Sequence, residues 1–206
     1  MKKNYVITIG RQLGSGGKLL GEKLSQKLEI PCYDKELINI ASRESGLGKE
    51  FFEKADEQSS HGFFSSFFGF RSGYMGDVTN NYLSNEILFK IQSDVIKELA
   101  QKSSCIFVGR CADYILRDQK RLISIFINAD IEDRVKVLSQ QDNTLTEKEI
   151  RTLIEQADKR RAGYYNYFSN KIWGMSTSYN LCFNSSVFDI NDIVTFIEQQ
   201  IKTQFY

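Results

Sequence analysis

Histidine and cysteine are scarce in this chain, and the few that it has are widely separated. The only histidine, His61, lies in a serine- and glycine-rich stretch without a cysteine nearby, which indicates a surface loop. The cysteines are Cys32, Cys105, Cys111 and Cys182, and no pair has the spacing of metal ligands. Cys105 and Cys182 lie in apolar, strand-like runs, where reduced and buried thiols are common. The pattern favours a reducing cytoplasm over a disulfide scaffold.

Excess charge and long apolar runs are also lacking. The chain has 27 Lys and Arg against 26 Asp and Glu, which gives a net charge of +1. It therefore lacks the long-range positive field of a general nucleic-acid binder. The apolar run near the first residue is only a few residues long and predicts neither a signal peptide nor a membrane span. We expect a cytoplasmic protein that binds neither nucleic acid nor membrane.

The apolar residues that are present, 41% of 206, are enough for a sizeable core. Apolar runs of strand length alternate with longer helical patterns, which predicts parallel strands joined by right-handed crossovers in an α/β three-layer sandwich. The predicted strands are Tyr5–Ile9, Ile30–Tyr33, Cys105–Val108, Leu122–Ile127 and Tyr179–Phe183. The predicted helices are Lys18–Leu28, Lys35–Ser45, Asn81–Lys102, Ile131–Gln141, Glu147–Phe168 and Ile190–Thr203.

Three helix starts carry capping signals. Asp130 and Asp189 each stand directly before a predicted helix, as capping residues do. Thr146 and Glu149 have the spacing of a capping box.

A glycine-rich segment connects the first predicted strand to the first predicted helix. Strand, glycine loop and helix together bind phosphate, because loop N–H groups converge on an anion and the helix dipole adds positive charge. The strict pattern is glycine, four residues, glycine, lysine and a hydroxyl residue. Here Gly17 and Lys18 fit, but Gln12 replaces the first glycine and Leu19 the hydroxyl residue. The segment is either a nucleotide-phosphate loop or an ordinary glycine-rich turn.

Polar residues follow other predicted strands. In parallel sheets ligands bind beyond the carboxyl ends of the strands, so Gly10–Lys18, Asp34, Gly109-Arg110 and Asn184-Ser185 are expected along one edge. Arg110 is suited to phosphate by its planar fork, or else is a surface residue that pairs with an aspartate, Asp113 or Asp118. Asp34 and Lys35 could bind a substrate hydroxyl or base, and Asp34 could equally cap a helix.

A basic segment begins at Asp158 and continues through Lys159, Arg160 and Arg161. Consecutive cations cannot all lie on one helix face, so at least one must point away from the others. The segment is either a solvated helix face or a lid that closes on polyphosphate.

Residues 46–80 are rich in phenylalanine among glycine and serine. The segment fits neither strand nor helix periodicity. Its aromatics either pack on the core or in a subunit interface, which predicts a homo-oligomer, or they belong to an insertion that covers substrate.

Taken together, these segments resemble the cytidylate kinase-like family, a branch of the P-loop nucleoside monophosphate kinases. The matching segments are Ile7–Lys18, Ile30–Ile38, Val108–Arg110, Phe126–Asp130, Asp158–Arg161 and Tyr179–Ser186. The resemblance implies a five-stranded parallel sheet in a single P-loop kinase-like domain, 1–206. Within it, 46–80 would be the insertion in the monophosphate-binding region and 158–175 a lid-like segment.

The resemblance also implies roles for individual residues. The ATP phosphates would bind to Gly14, Ser15, Gly16, Gly17 and Lys18. The acceptor, a small molecule, would bind to Asp34, Lys35, Arg43 and Arg110. Lys18, Arg160 and Arg161 would stabilise the transferring phosphoryl group, with ATP and Mg²⁺ as cofactors.

The sequence departs from authentic cytidylate kinases at the loop hydroxyl, at Cys111, where they have aspartate, and at Ile40, where they have arginine, with Arg43 one turn on. The Mg²⁺ ligands are unknown, and Ser15 is the candidate. The expected function is ATP-dependent phosphoryl transfer to CMP or dCMP. The departures favour the alternatives, a small-molecule kinase with another acceptor or a nucleotide-binding module without turnover.

Overall fold

The computed structural model describes residues 4–34, 38, 46 and 78–205, without the side chains of 78–84. The chain divides into two compact units, one formed by 1–35 and 99–206 and the other by 36–98. The predictions on Lys35, Ile40, Arg43 and His61, and nearly all of those on 46–80, lie outside the described residues.

The larger unit contains a five-stranded sheet with the order β2-β3-β1-β4-β5, in which every neighbouring pair is parallel. The strands are β1 (Val6–Arg11), β2 (Cys32–Tyr33), β3 (Cys105–Val108), β4 (Leu122–Asn128) and β5 (Leu181–Asn184). Each predicted strand is thus present, with ends that differ by up to two residues. Helices flank the sheet, and the predicted α/β architecture with five parallel strands is confirmed.

Apart from the predicted helix at 35–45, which lies outside the described residues, the helices follow the predicted order. They are α1 (Gly17–Leu28), α2 (Val78–Lys102), α3 (Ala112–Ile115), α4 (Ile131–Gln141), α5 (Glu147–Ser169) and α6 (Ile190–Phe205), with a 3₁₀ turn at Ser176–Ser178. Helix α3 was not predicted, because four residues are too few to show helical periodicity. None of the helices in the described part of the chain is long and apolar enough to cross a membrane.

All three predicted residues stand at the helix starts, and two of them make the side-chain bond of a cap. Thr146 and Glu149 form a complete capping box, and Asp189 Oδ1 accepts the Asn191 N–H at 2.7 Å. Asp130 occupies the first cap position of α4 but makes no side-chain cap bond. Its Oδ1 instead accepts a hydrogen bond from Asn184 Nδ2 at 3.2 Å, because the end of β5 lies beside it.

One face of the sheet is covered by α1 and α6 in an aliphatic core. That core joins Ile7, Ile9 and Ile125 of the strands to Leu20 of α1 and Ile197 of α6. Since side chains alternate along a strand, Thr8, Ser124 and Phe126 point to the other face.

Of the two predictions on buried cysteines, one is confirmed and one is wrong. All four cysteines are free, and Cys105 is buried as predicted. Cys182 is exposed, so its predicted burial is wrong. The reason is its position on β5, which lies at the edge of the sheet.

Candidate active site

The loop between β1 and α1 contains two glycines with a left-handed backbone. Gly14 and Gly16 have φ angles of 79° and 78°, a left-handed region that residues with a side chain rarely adopt. Gly16 caps α1 without a side-chain hydrogen bond, and the first turn of that helix contains no acidic residue. The N–H groups at this helix start therefore face the loop without a side-chain acceptor, which suits an anion.

Asp158 and Arg134 fasten the loop from α5 and α4. Asp158 Oδ1 accepts the Leu13 N–H at 2.9 Å, and Arg134 Nε donates to the Leu13 carbonyl at 2.7 Å. Arg134 Nη2 also donates to Asp158 Oδ2, and the two side chains are only 6% and 16% exposed. Both backbone groups of Leu13 are thus held by a buried ion pair. The sequence interpretation missed Arg134, whose position four residues before Leu138 on the apolar side of α4 was the available signal.

The end of β5 also contacts the loop. Ser185 Oγ lies 2.9 Å from the Ser15 carbonyl and 3.1 Å from the Asn128 carbonyl. The predicted convergence of the loop and residues 184–185 at one edge of the sheet is therefore present.

Ser15 is buried beneath the loop. Its hydroxyl lies 3.0 Å from the carbonyls of both Gln12 and Ile127, to either of which it can donate, and the residue is 2% exposed. In the described part of the chain no cluster of three or more His, Cys, Asp and Glu could hold a metal. Ser15 as a Mg²⁺ ligand stays a prediction that this geometry does not favour.

Lys18 and Asp34 meet across the site. Lys18 Nζ lies 3.3 Å from Asp34 Oδ2, and the two side chains are 67% and 17% exposed. Residues predicted to bind the donor phosphates and the acceptor are therefore neighbours, Lys18 in the first turn of α1 and Asp34 directly after β2.

Arg110 lies at the end of β3 with its guanidinium largely enclosed. Its Nε and Nη2 atoms are buried and have no hydrogen-bond partner among the described residues. The guanidinium stands 5.4 Å from the centre of the Tyr164 ring, and the predicted alternative of a pair with Asp113 or Asp118 does not occur. Buried donors without an acceptor are costly, so this arginine is suited to an anion that enters the site.

The cations of the basic segment separate, as predicted. Lys159 and Arg160 are exposed, whereas Arg161 turns inward and donates from Nη1 to the Arg11 carbonyl at 3.0 Å. Burial lowers the pKa of Arg161, and Asp158, 3.9 Å away, opposes that change. The predicted lid segment is helical up to Ser169, so its first cations are fixed on α5.

A model of the cytidylate kinase-like family matches residues 6–187. The chain belongs to this family. Family membership and the five-stranded fold support a P-loop kinase, and they leave the acceptor open. No curated protein matches the sequence.

Solved structures resemble the chain over nearly its whole length. An uncharacterized protein from Eubacterium ventriosum is 27% identical with a TM-score of 0.71, covering 98% of this chain and 100% of that one. TT1252 from Thermus thermophilus is 14% identical with a TM-score of 0.58, covering 97% and 99%. Shikimate kinase from Bacteroides thetaiotaomicron is 14% identical with a TM-score of 0.54, covering 96% and 98%. The last two likenesses show the shared fold.

In this cytidylate kinase-like chain, Cys111 and Asp113, which follow Arg110, are both buried. Burial raises the pKa of the Cys111 thiol far above its ordinary range, and the nearby Asp113 adds to that effect, so the thiol is neutral. Burial also raises the pKa of Asp113, against a hydrogen bond of 2.7 Å from the Tyr165 hydroxyl. The position that holds aspartate in authentic cytidylate kinases thus holds an uncharged group here.

Proposed function

We propose that this protein transfers a phosphoryl group from ATP to a small anionic acceptor, with the monophosphates CMP and dCMP as first choice. The observation that carries this proposal is Arg110, whose buried Nε and Nη2 have no partner among the described residues. A monophosphate would accept hydrogen bonds from both atoms in the forked geometry that arginine offers.

The donor side of the proposal rests on the loop. Gly14, Ser15, Gly16 and Gly17 would bind the ATP phosphates through their backbone, with Lys18 beside them. Because Lys18 lies 3.3 Å from Asp34, the donor and acceptor sites would adjoin, as in-line transfer requires.

Charge around the transferring group would complete the site. Phosphoryl transfer depends on positioning and on positive charge at the equatorial oxygens. Lys18, Arg160 and Arg161 are the proposed sources of this charge, and Asp34, Lys35, Arg43 and Arg110 the proposed acceptor contacts. Mg²⁺ in kinase sites keeps several waters and is bound by one or two carboxylates together with substrate phosphates. The only hydroxyl of the loop, that of Ser15, is buried, so the loop would supply no exposed hydroxyl to Mg²⁺.

The test is release of ADP from Mg-ATP in the presence of CMP, dCMP, UMP, AMP, GMP or shikimate, each in a separate reaction. Lys18→Ala should lower the rate by about 10²–10³-fold, the typical effect of losing one preorganised electrostatic group. Its matched control is Lys148→Ala, an exposed lysine at the start of α5, which should leave the rate unchanged.

The outcomes separate the candidate functions. Turnover with one monophosphate establishes the kinase and names its acceptor. Turnover with shikimate would instead show that the acceptor is a hydroxylated carboxylate. ATP binding without turnover would favour a nucleotide-binding module. A turnover rate that Lys18→Ala leaves unchanged would remove that residue from the mechanism.

A further inference from the structure

Arg11 is a cation at the start of the loop, and neither the motif nor the resemblance assigns it a role. It is the last residue of β1, so it stands at the carboxyl edge of the sheet. Its carbonyl accepts the hydrogen bond from Arg161 at 3.0 Å, and the next residue, Gln12, donates its N–H to the Ile127 carbonyl at 3.0 Å. The backbone that carries the Arg11 side chain is thus fixed on both sides.

The side chain of Arg11 extends over the start of α1 and reaches the end of β3. A Cβ atom added at Gly17 would lie 2.8 Å from Arg11 Cγ and nearer still to Arg11 Cβ. A Cβ atom added at Gly109 would lie 3.1 Å from Arg11 Cζ and nearer still to Nη1. The guanidinium therefore lies beside Gly109, the residue before Arg110, with its stem across the helix start.

Positions 11 and 17 exclude each other as sites for a side chain. The Cβ of Arg11 is bonded to the backbone, so no rotamer change removes its clash with a Cβ at position 17. The strict pattern can also be aligned with Gly16, in place of Gly17, as its second glycine. Position 11 is then that of the first glycine and position 17 that of the lysine. This chain has arginine and glycine there, so the glycine and the cation have exchanged places.

We propose that Arg11 binds the ATP phosphates above the loop, in the role that the lysine has in the strict pattern. The inference rests on the proposed function, and it assigns Lys18 to the side of the site that faces Asp34. A guanidinium can bind two phosphate oxygens with parallel hydrogen bonds and stays charged at every working pH. The placement of Arg11 beside Arg110 puts two guanidinium groups at adjacent strand ends, one for the donor and one for the acceptor.

The first test is calorimetric binding of ATP and of inorganic tripolyphosphate to the wild type and to Arg11→Met, which keeps most of the aliphatic stem. The loss of a charge-assisted contact should weaken binding of both ligands and raise their dissociation constants by about 10- to 100-fold. The matched control is Arg151→Met, whose guanidinium is paired with Glu132 and Glu147 on the surface of α5, and its constants should equal those of the wild type.

The second test exchanges the two positions. Arg11→Gly alone should weaken ATP binding, and Gly17→Lys alone should lower the melting temperature because its Cβ meets Arg11. The double variant Arg11→Gly/Gly17→Lys should bind ATP more tightly than Arg11→Gly and melt higher than Gly17→Lys. A merely structural role for Arg11 does not predict recovery of phosphate affinity by a cation at position 17.

Each outcome decides the inference. If folded Arg11→Met binds ATP as the wild type does, the role of Arg11 is overturned and the kinase proposal stands. If Arg11→Met does not fold, the double variant decides, and a folded double variant no better than Arg11→Gly overturns the inference. If the wild type binds neither ATP nor tripolyphosphate, the proposed function falls together with it.

Discussion

The face of the sheet that α1 and α6 cover is aliphatic, whereas the opposite face carries hydroxyls, aromatic rings and a buried carboxylate. On the first face, Ile7, Ile125 and Ile197 belong to one apolar cluster. On the second, the Tyr165 ring stacks 5.8 Å from the Tyr179 ring, and the Tyr165 hydroxyl donates to Asp113.

The two faces differ in how accurately their side chains must be placed relative to their neighbours. Apolar packing is not directional, so a smaller apolar side chain on the first face loses only van der Waals contacts and leaves a cavity. A polar group on the second face needs its own partner, because a buried donor or acceptor that loses one pays the full desolvation cost. Helix α5 supplies Tyr165 and also Asp158 and Arg161, so the helix beside the polar face also helps to fix the loop, together with Arg134 of α4.

The largest effect on stability is expected from Asp158→Ala. The change leaves Arg134 buried without its carboxylate and removes the acceptor of the Leu13 N–H, so the free energy of unfolding should fall by about 3–5 kcal/mol. Urea unfolding measures it. Glu147→Ala, which removes a carboxylate from an exposed pair with Arg151, is the control and should change little. A loss for Asp158→Ala no greater than that of the control would show that the loop is not held by this pair.

An intermediate effect is expected from Tyr165→Phe. The hydroxyl donates to Asp113, so its removal leaves a buried acceptor unsatisfied and should cost about 1–3 kcal/mol. The bond favours the ionised carboxylate and lowers its pKa, so the variant should have an Asp113 pKa higher than that of the wild type. The loss should therefore be complete above both pKa values and shrink as the pH falls through them. Urea unfolding at several pH values measures this, and a loss independent of pH would contradict it.

The smallest effect is expected from Ile197→Val in the aliphatic core. Ile197 is fully buried, and deleting one methylene group from such a site costs about 0.5–1.5 kcal/mol. The same unfolding measurement compares it with Tyr165→Phe. A loss that exceeds the one from Tyr165→Phe would mean that the two faces do not differ in the way described.

The sequence predicted the elements better than it predicted their contacts. The alternation of strands and helices, the capping box at Thr146 and the approach of the loop to Ser185 were all present in the structure. The predicted burial of Cys182 was wrong, and Asp130 stands at the N-cap of α4 without the side-chain bond of a cap. In both cases the position of β5 decided the outcome, and a neighbour in space leaves no trace in local periodicity.

Within the site, Asp34 and Arg110 could be identified because they follow strand ends, where parallel sheets bind ligands. Lys18 could be identified because it follows the glycine loop. Arg134 could not be assigned from the motifs, because its contact with Leu13 spans 121 positions of the chain. The basic segment was visible, but whether Arg160 or Arg161 turns inward depends on how α5 lies against the loop.

The sequence by itself determined the order of strands and helices, the glycine loop and the capping box, because periodicity, turn geometry and capping act over a few residues. Only the tertiary structure decided which strands are neighbours in the sheet, the buried pair that holds Leu13 and the course of the Arg11 side chain over Gly17. These features join residues that are far apart in the chain, and they depend on the space that one residue leaves for another.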